Sequence, residues 1–252
     1  ADDFISRVTL LSGKSIAPGK TLVFIDEVQE APDIMTMAKF LVEDGRCRWA
    51  FSGSMLGTQF KGVRSYPVGY VHELRMFPLD FEEFCWAIGV SEGARQTIRD
   101  ACISERPIPD YIHDAMMANF RTYTVVGGMP EVVQRFLDTQ GDLASVRQLQ
   151  SELNEQYRRD ISKYASGRAL QMQSIYDQLP IMLEGENKRF VLNSIDPKAY
   201  YEKYQRDFVW LVDAGVALKV DIVTEPKSPL LKTARPSQFK LYQSDTGMLM
   251  AR

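Results

Sequence analysis

Residues 21–32, TLVFIDEVQEAP, decide how the chain is read. Leu22, Val23, Phe24 and Ile25 form a run of branched and aromatic residues led in by Pro18-Gly19. That is the pattern of a strand covered on both faces. The run ends abruptly in Asp26-Glu27. Ligands of α/β sheets bind at the carboxyl ends of the strands, so this spacing delivers two carboxylates to that edge. An acidic pair there suits nucleotide hydrolysis, the first holding Mg²⁺ through water and the second orienting or deprotonating the attacking water. This is the Walker B pattern. Apolar runs followed by Asp-Glu also occur where a strand ends in a solvated turn.

Working outward, Pro32-Asp33 opens a helix through about Val42, with Ile34, Met37, Ala38 and Leu41 on one apolar face and Gly45 as its stop. Residues 48–51, RWAF, read as a second strand that brings Ser52-Gly53-Ser54 to the same edge. A small hydroxyl there can hydrogen-bond the attacking water or a γ-phosphate, the sensor 1 role, while a plain tight turn would use the same residues. Upstream, SGKS at 12–15 invites a phosphate-loop reading, but GxxxxGK[ST] needs glycine at position 8, which is Val8. SGKS is therefore read as a surface turn, and a nucleotide-binding loop is expected upstream of Ala1. The chain starts Ala-Asp-Asp and stops just after an apolar segment, so it is expected to be part of a longer protein.

The 252 residues suffice for one large domain or two smaller ones. A net charge of −3, from 30 basic and 33 acidic residues, gives no global field toward nucleic acid or membrane. Cys47, Cys85 and Cys102 lack any CxxC spacing and only His72 and His113 are present. This argues against a zinc site and fits a reducing, cytoplasmic location. No apolar run approaches the ~20 residues of a membrane span.

Downstream, residues 57–69 read as a glycine-bearing loop carrying Lys61 and Arg64, and residues 71–76 as another strand by alternation. Asp80 caps a helix whose Phe81, Phe84 and Trp86 are assigned to core. Helical spacing dominates at 92–104, 110–124, 130–138, 142–165 and 169–183. Gly127-Gly128-Met129-Pro130-Glu131 ends one helix and starts the next, which is cause enough for the motif. Arg158 and Arg159 offer a lid arginine for phosphoryl transfer, though a solvated face with i,i+4 pairing accounts for them. Helix, strand, basic loop and strand beyond residue 188 resemble a winged helix-turn-helix whose wing carries Lys227, Lys232 and Arg235.

With these residues in view, the chain resembles a family of bacterial and archaeal AAA+-type ATPases whose C-terminal part is a domain of unknown function. The phrases that carry the resemblance are TLVFIDEVQEAP, FSGSMLG, SYPVGYVHELRMFPLDFEEFCWAIG, YTVVGGMPEVVQ, YRRDISKYA, WLVDAGVALKV and FKLYQSDTGML, in that order over nearly the whole length. It implies an α/β P-loop NTPase (AAA+-like) core at residues 1–90, an all-helical lid at 91–166 and a winged-helix-like domain at 167–252. It implies ATP and Mg²⁺ as cofactors, Asp26 as the Mg²⁺-linked acid, Glu27 as catalytic base, and Ser52 or Ser54 as sensor. The family also has a P-loop before this segment and a restriction-endonuclease-like fold after the DTGML-like phrase, both outside these residues. Where other members carry Gly-Arg, this chain has Gly69-Tyr70, so an arginine finger is not carried over, and Arg64 and Arg75 stand as substitutes. The leading expectation is an ATPase that moves its helical and winged-helix parts, with rings of copies by analogy to AAA+ relatives. The alternative is a nucleic-acid or protein interaction module whose ATPase part is regulatory or inactive.

Overall fold

The computed structural model describes residues 2–53, 69–164 and 167–252. The chain divides into two compact units, Ala1–Arg75 and Met76–Arg252.

The first unit opens with helix α1 (Asp2–Ser12), which stops at Gly13 with φ 64°. Lys14 and Ser15 follow as exposed, irregular backbone, the surface turn expected of SGKS. Strand β1 (Thr21–Ile25) and strand β2 (Cys47–Phe51) are parallel, in register from Thr21 opposite Cys47 to Ile25 opposite Phe51. Helix α2 (Pro32–Asp44) joins them, started by Pro32 in its first turn and ended by Gly45 at φ 72°. Its buried residues are Met35, Ala38 and Leu41, so the inward face is turned from the expected one, with Met35 in place of Ile34 and Met37. The Trp49 indole N–H donates to Leu41 O at 3.1 Å and its ring lies 6.0 Å from Phe4 of α1. Both helices thus reach the Val23–Trp49 face of the sheet. Side chains alternate faces along a strand, and Leu22 and Phe24, on the other face, are 60% and 61% exposed. The expectation of a strand covered on both faces is corrected here: the helices cover one.

Residues 71–76 are not a strand, although they alternate. Leu74 and Met76 are exposed, and among the described residues no strand pairs with them; without a ladder partner the pattern cannot hold an extended strand. The loop at 57–69 lies, apart from Gly69, outside the described residues.

In the second unit, helix α3 (Phe81–Ala87) begins with a capping box: Glu83 N–H donates to Asp80 at 2.8 Å and Asp80 N–H to Glu83 at 2.9 Å. Phe84 is fully buried and Phe81 meets Phe120 edge to face at 5.1 Å. Trp86, assigned to core, instead lies half exposed with the Arg95 guanidinium 5.3 Å from its ring centre. A helix this short turns only one stripe inward. Helices α4 (Glu92–Ile103), α5 (Asp110–Val126), α6 (Pro130–Asp138), α7 (Leu143–Tyr164) and α8 (Ala169–Glu184) follow within two residues of their expected bounds. Helix α9 (Tyr201–Asp213), strands β3 (Ala217–Val223) and β4 (Ala234–Gln243), and short helix α10 (Thr246–Met250) complete the unit.

Among the described residues, two apolar clusters form the core of this second unit. One gathers Phe84, Val126, Val132, Val133, Val146 and Leu149, and the other centres on Ile175, Tyr176, Phe208, Leu211, Phe239 and Leu241. Between α7, α8 and β4, the Tyr176 hydroxyl donates to Asn154 Oδ1, and Gln243 Nε2 donates to Asn154 Oδ1 at 3.2 Å and Tyr176 Oη at 3.1 Å. Burial pushes the Tyr176 hydroxyl up to about 12, so it remains a donor. Because the C-terminal segment returns onto α5 and α7, residues 91–166 and 167–252 share one compact unit where the sequence divides them into lid and winged-helix-like parts.

Candidate functional site

Parallel pairing of Ile25 with Phe51 makes Asp26 and Ser52 neighbours at the carboxyl edge of the sheet. The ladder continues one step beyond the strands, with Ser52 N–H donating to Ile25 O at 2.9 Å and Val28 N–H to Ser52 O at 3.0 Å. Through this step the Ser52 hydroxyl donates to Asp26 Oδ1, which also accepts from Glu27 N–H at 3.1 Å. Glu27 sits in the left-handed region at φ 50°, ψ 48°, uncommon for a residue with a side chain and frequent at functional sites. The turn sends Val28 into the core and leaves Asp26 and Glu27 exposed. Gln29 Nε2 donates to Glu27 Oε2, and Gln29 Oε1 is buried with no hydrogen-bond partner among the described residues.

The structure therefore brings Asp26, Glu27 and Ser52 together. Ser54 and Arg64 lie outside the described residues, and Arg75 lies in the exposed segment after them. Among the described residues, no group of three or more His, Cys, Asp or Glu could cage a metal. Lys227, Lys232 and Arg235 belong to the second unit: Lys227 Nζ is 2.9 Å from Glu225, and Lys232 and Arg235 are exposed. The connection between β3 and β4 spans residues 224–233, shorter than the expected 226–236, because β4 starts at Ala234 and takes in Pro236. Arg158, expected on a solvated face, donates to Asp177 of α8, which also accepts from Arg252 at 2.8 Å.

A second constellation joins two phrases far apart in sequence. Asp245 is 4% exposed; its Oδ2 accepts from Gly128 N–H at 2.6 Å and its Oδ1 from Met248 N–H at 2.8 Å. Amides of Gly247 and Met129 add to these. Burial pushes the carboxyl up from its ordinary value while the amides pull it down. The glycines permit the approach: a Cβ on Gly127 would fall 2.3 Å from Asp245 Oδ1, and one on Gly247 2.2 Å from Val126 O. The double glycine was visible as a helix break, but nothing local to it points to an acid 117 positions away.

Residues 117–252, more than half of the chain, match the family profile described as domain of unknown function (DUF8612). The chain belongs to the DUF8612 family. Its DUF8612 segment starts within α5 and holds the Asp245 constellation, both core clusters in large part, and the β3–β4 hairpin. Residues 2–85 match an AAA domain, which places the Asp26–Ser52 edge of this DUF8612 protein in a domain of a nucleotide-binding class. No curated protein and no solved structure matches the chain. Among the described residues, no helix is long and apolar enough to cross a membrane.

Proposed function

We propose that this protein is an ATPase whose AAA domain hydrolyses ATP with Mg²⁺, and that the cycle moves its helical and winged-helix-like parts. The observation that carries this is the hydrogen bond from Ser52 to Asp26 at the carboxyl end of parallel β1 and β2, with Glu27 in a left-handed turn beside it. The donor set fits Mg²⁺. Both hydrogen bonds to Asp26 among the described residues fall on Oδ1, which leaves Oδ2 for a metal-bound water. One carboxylate with waters and phosphate oxygens is the set this ion takes, in preference to a protein cage. The ion would neutralise charge developing on the phosphoryl oxygens. Ser52 holds the Asp26 carboxylate in place by donating its one hydroxyl proton, and its oxygen would act as sensor by accepting from the attacking water, a role Ser54 would share. Glu27 accepts the proton of the attacking water, and Gln29, which donates to Glu27, orients it. Since SGKS at 12–15 is a surface turn, it is not assigned the phosphate contacts under this reading.

The test is Glu27→Gln in the protein that includes its phosphate-binding loop. Loss of a positioned base lowers turnover by about 10²–10⁴-fold, with nucleotide affinity retained. Unchanged turnover would refute the role of Glu27.

A second reading, contact with nucleic-acid phosphates by the β3–β4 hairpin, rests on the exposure of Lys232 and Arg235, neither of which bonds to an acid among the described residues. Under it the ATPase part is regulatory or inactive. Lys232→Glu with Arg235→Glu is expected to reduce the slope of log Kobs against log salt for duplex DNA by about 2. A chain that fails to bind duplex DNA at low salt removes this reading.

A further inference from the structure

β3 and β4 form a two-stranded sheet, and the two outer edges of that sheet differ. On the β4 side, Phe190 N–H donates to Phe239 O at 3.0 Å. On the β3 side, no strand pairs among the described residues. The register shows which β3 groups face that open side. Ser244 N–H donates to Val216 O at 3.2 Å and Thr224 N–H to Thr233 O at 3.1 Å. In an antiparallel pair, positions alternate between those bonded to the partner strand and those that point away. Residues 216, 218, 220, 222 and 224 therefore turn toward β4. Ala217, Lys219, Asp221 and Val223 aim their N–H and C=O groups outward. The irregularity in the ladder does not interrupt this edge: Asp221 is opposite Phe239 and Ile222 opposite Arg235, so the extra residues, 236–238, are all in β4.

The residues of this edge are complementary to themselves. We propose that β3 pairs antiparallel with β3 of a second copy of this chain, about a twofold axis at Val220, so that the two hairpins form one four-stranded sheet. In this register Lys219 stands opposite Asp221 of the second copy, and Asp221 opposite its Lys219. Ala217 and Val223 complete the outward pairs, so all four outward residues of each strand are used. Moving the axis to Lys219 sets lysine against lysine, and moving it to Asp221 sets aspartate against aspartate. Opposite charges directly across a ladder stabilise it and like charges destabilise it. One register thus has both the longest overlap and matched charges. On the outer face, Leu218 and Val220, 41% and 50% exposed, meet Ile222 and Val220 of the second copy and continue an aliphatic stripe across the axis. Lys219 and Asp221 already lie on one face, where they pair with each other and Lys219 Nζ sits 5.0 Å from the Phe239 ring centre. The edge is a twofold contact that leaves the Asp26 site out of account, so it stands or falls separately from the ATPase reading.

Sedimentation of the 252-residue chain at about 10–100 µM, where a dimer of moderate affinity is populated, is expected to show a species of twice the 28.7 kDa monomer. Asp221→Lys and Lys219→Asp are each expected to weaken it about tenfold or more, since each replaces two attractive pairs by two repulsive ones. Mixing the two variants is expected to restore a dimer, now of one copy of each, because lysines again face aspartates. Far-ultraviolet dichroism checks that both variants fold. A monomeric wild type, or a dimer indifferent to both reversals, overturns the proposal.

Discussion

Gly128→Ala is expected to destabilise the second unit by about 3–5 kcal/mol, the sum of overpacking and two lost hydrogen bonds. The cause is a backbone contact, which cannot move aside as a flexible side chain would. A Cβ at this position would fall 1.9 Å from Leu79 O and 2.8 Å from Leu79 C and N. Leu79 N–H donates to Gly128 O at 2.7 Å, and Leu79 O accepts from the Tyr123 hydroxyl at 2.8 Å. Pushing Leu79 away breaks both bonds and displaces Asp80, the cap of α3. Thermal unfolding followed by dichroism should show a drop of roughly 6–20 °C, taking 2–4 °C per kcal/mol for a unit of this size. A shift under about 2 °C would mean that Leu79 does not contact the helix break as described.

Asp245→Ala is expected to cost a similar amount, about 3–5 kcal/mol, because it removes a buried ionic group that has no replacement. The amides of Gly128 and Met248 would lose their acceptor at a depth where water does not reach. The cap of α10 would go with it, and with the cap the hold of the chain's last helix on α5 and α7. Asp245→Asn keeps one acceptor oxygen and should lose less. Because burial raises the folded-state pKa of Asp245 above its ordinary 3.8, the fold holds this proton more tightly than the unfolded chain does. Its pH-linked contribution is therefore present at the acid end and lost as the pH rises through the folded value. Acidification should not release this contact, and hydrogen exchange at α10 that quickened on acidification would contradict the assignment.

These two residues show where the sequence stops being informative. Local chemistry is legible: Pro32 and Gly45 bracket α2, Asp80 and Glu83 cap α3, and Gly127 with Pro130 marks the break before α6. Each signal lies within a few residues of its effect. The parallel pair β1–β2 was legible for the same reason, two apolar runs separated by one helix, and with it the approach of Ser52 to Asp26. Long-range partners were not. Nothing near Gly128 announces Asp245, and nothing near Arg158 announces Asp177. An all-apolar run such as Leu22 to Ile25 cannot tell which face a helix will cover, since both faces carry the same kind of residue. The alternation at 71–76 was real, but a strand also requires a neighbour to bond.

The proposed catalytic edge is recognisable from sequence because its three residues, Asp26, Glu27 and Ser52, follow two consecutive strand ends. What the structure adds is their contact: a serine hydroxyl on the carboxylate, and a left-handed turn that carries the second acid outward. The most direct test of the account is the Mg²⁺-dependent ATP turnover of Glu27→Gln beside wild type, with nucleotide affinity measured on the same preparations. Equal affinity and turnover lower by at least about 10²-fold are expected. Equal turnover in the two proteins would contradict this, and would leave Asp26 and Glu27 as the polar end of a strand.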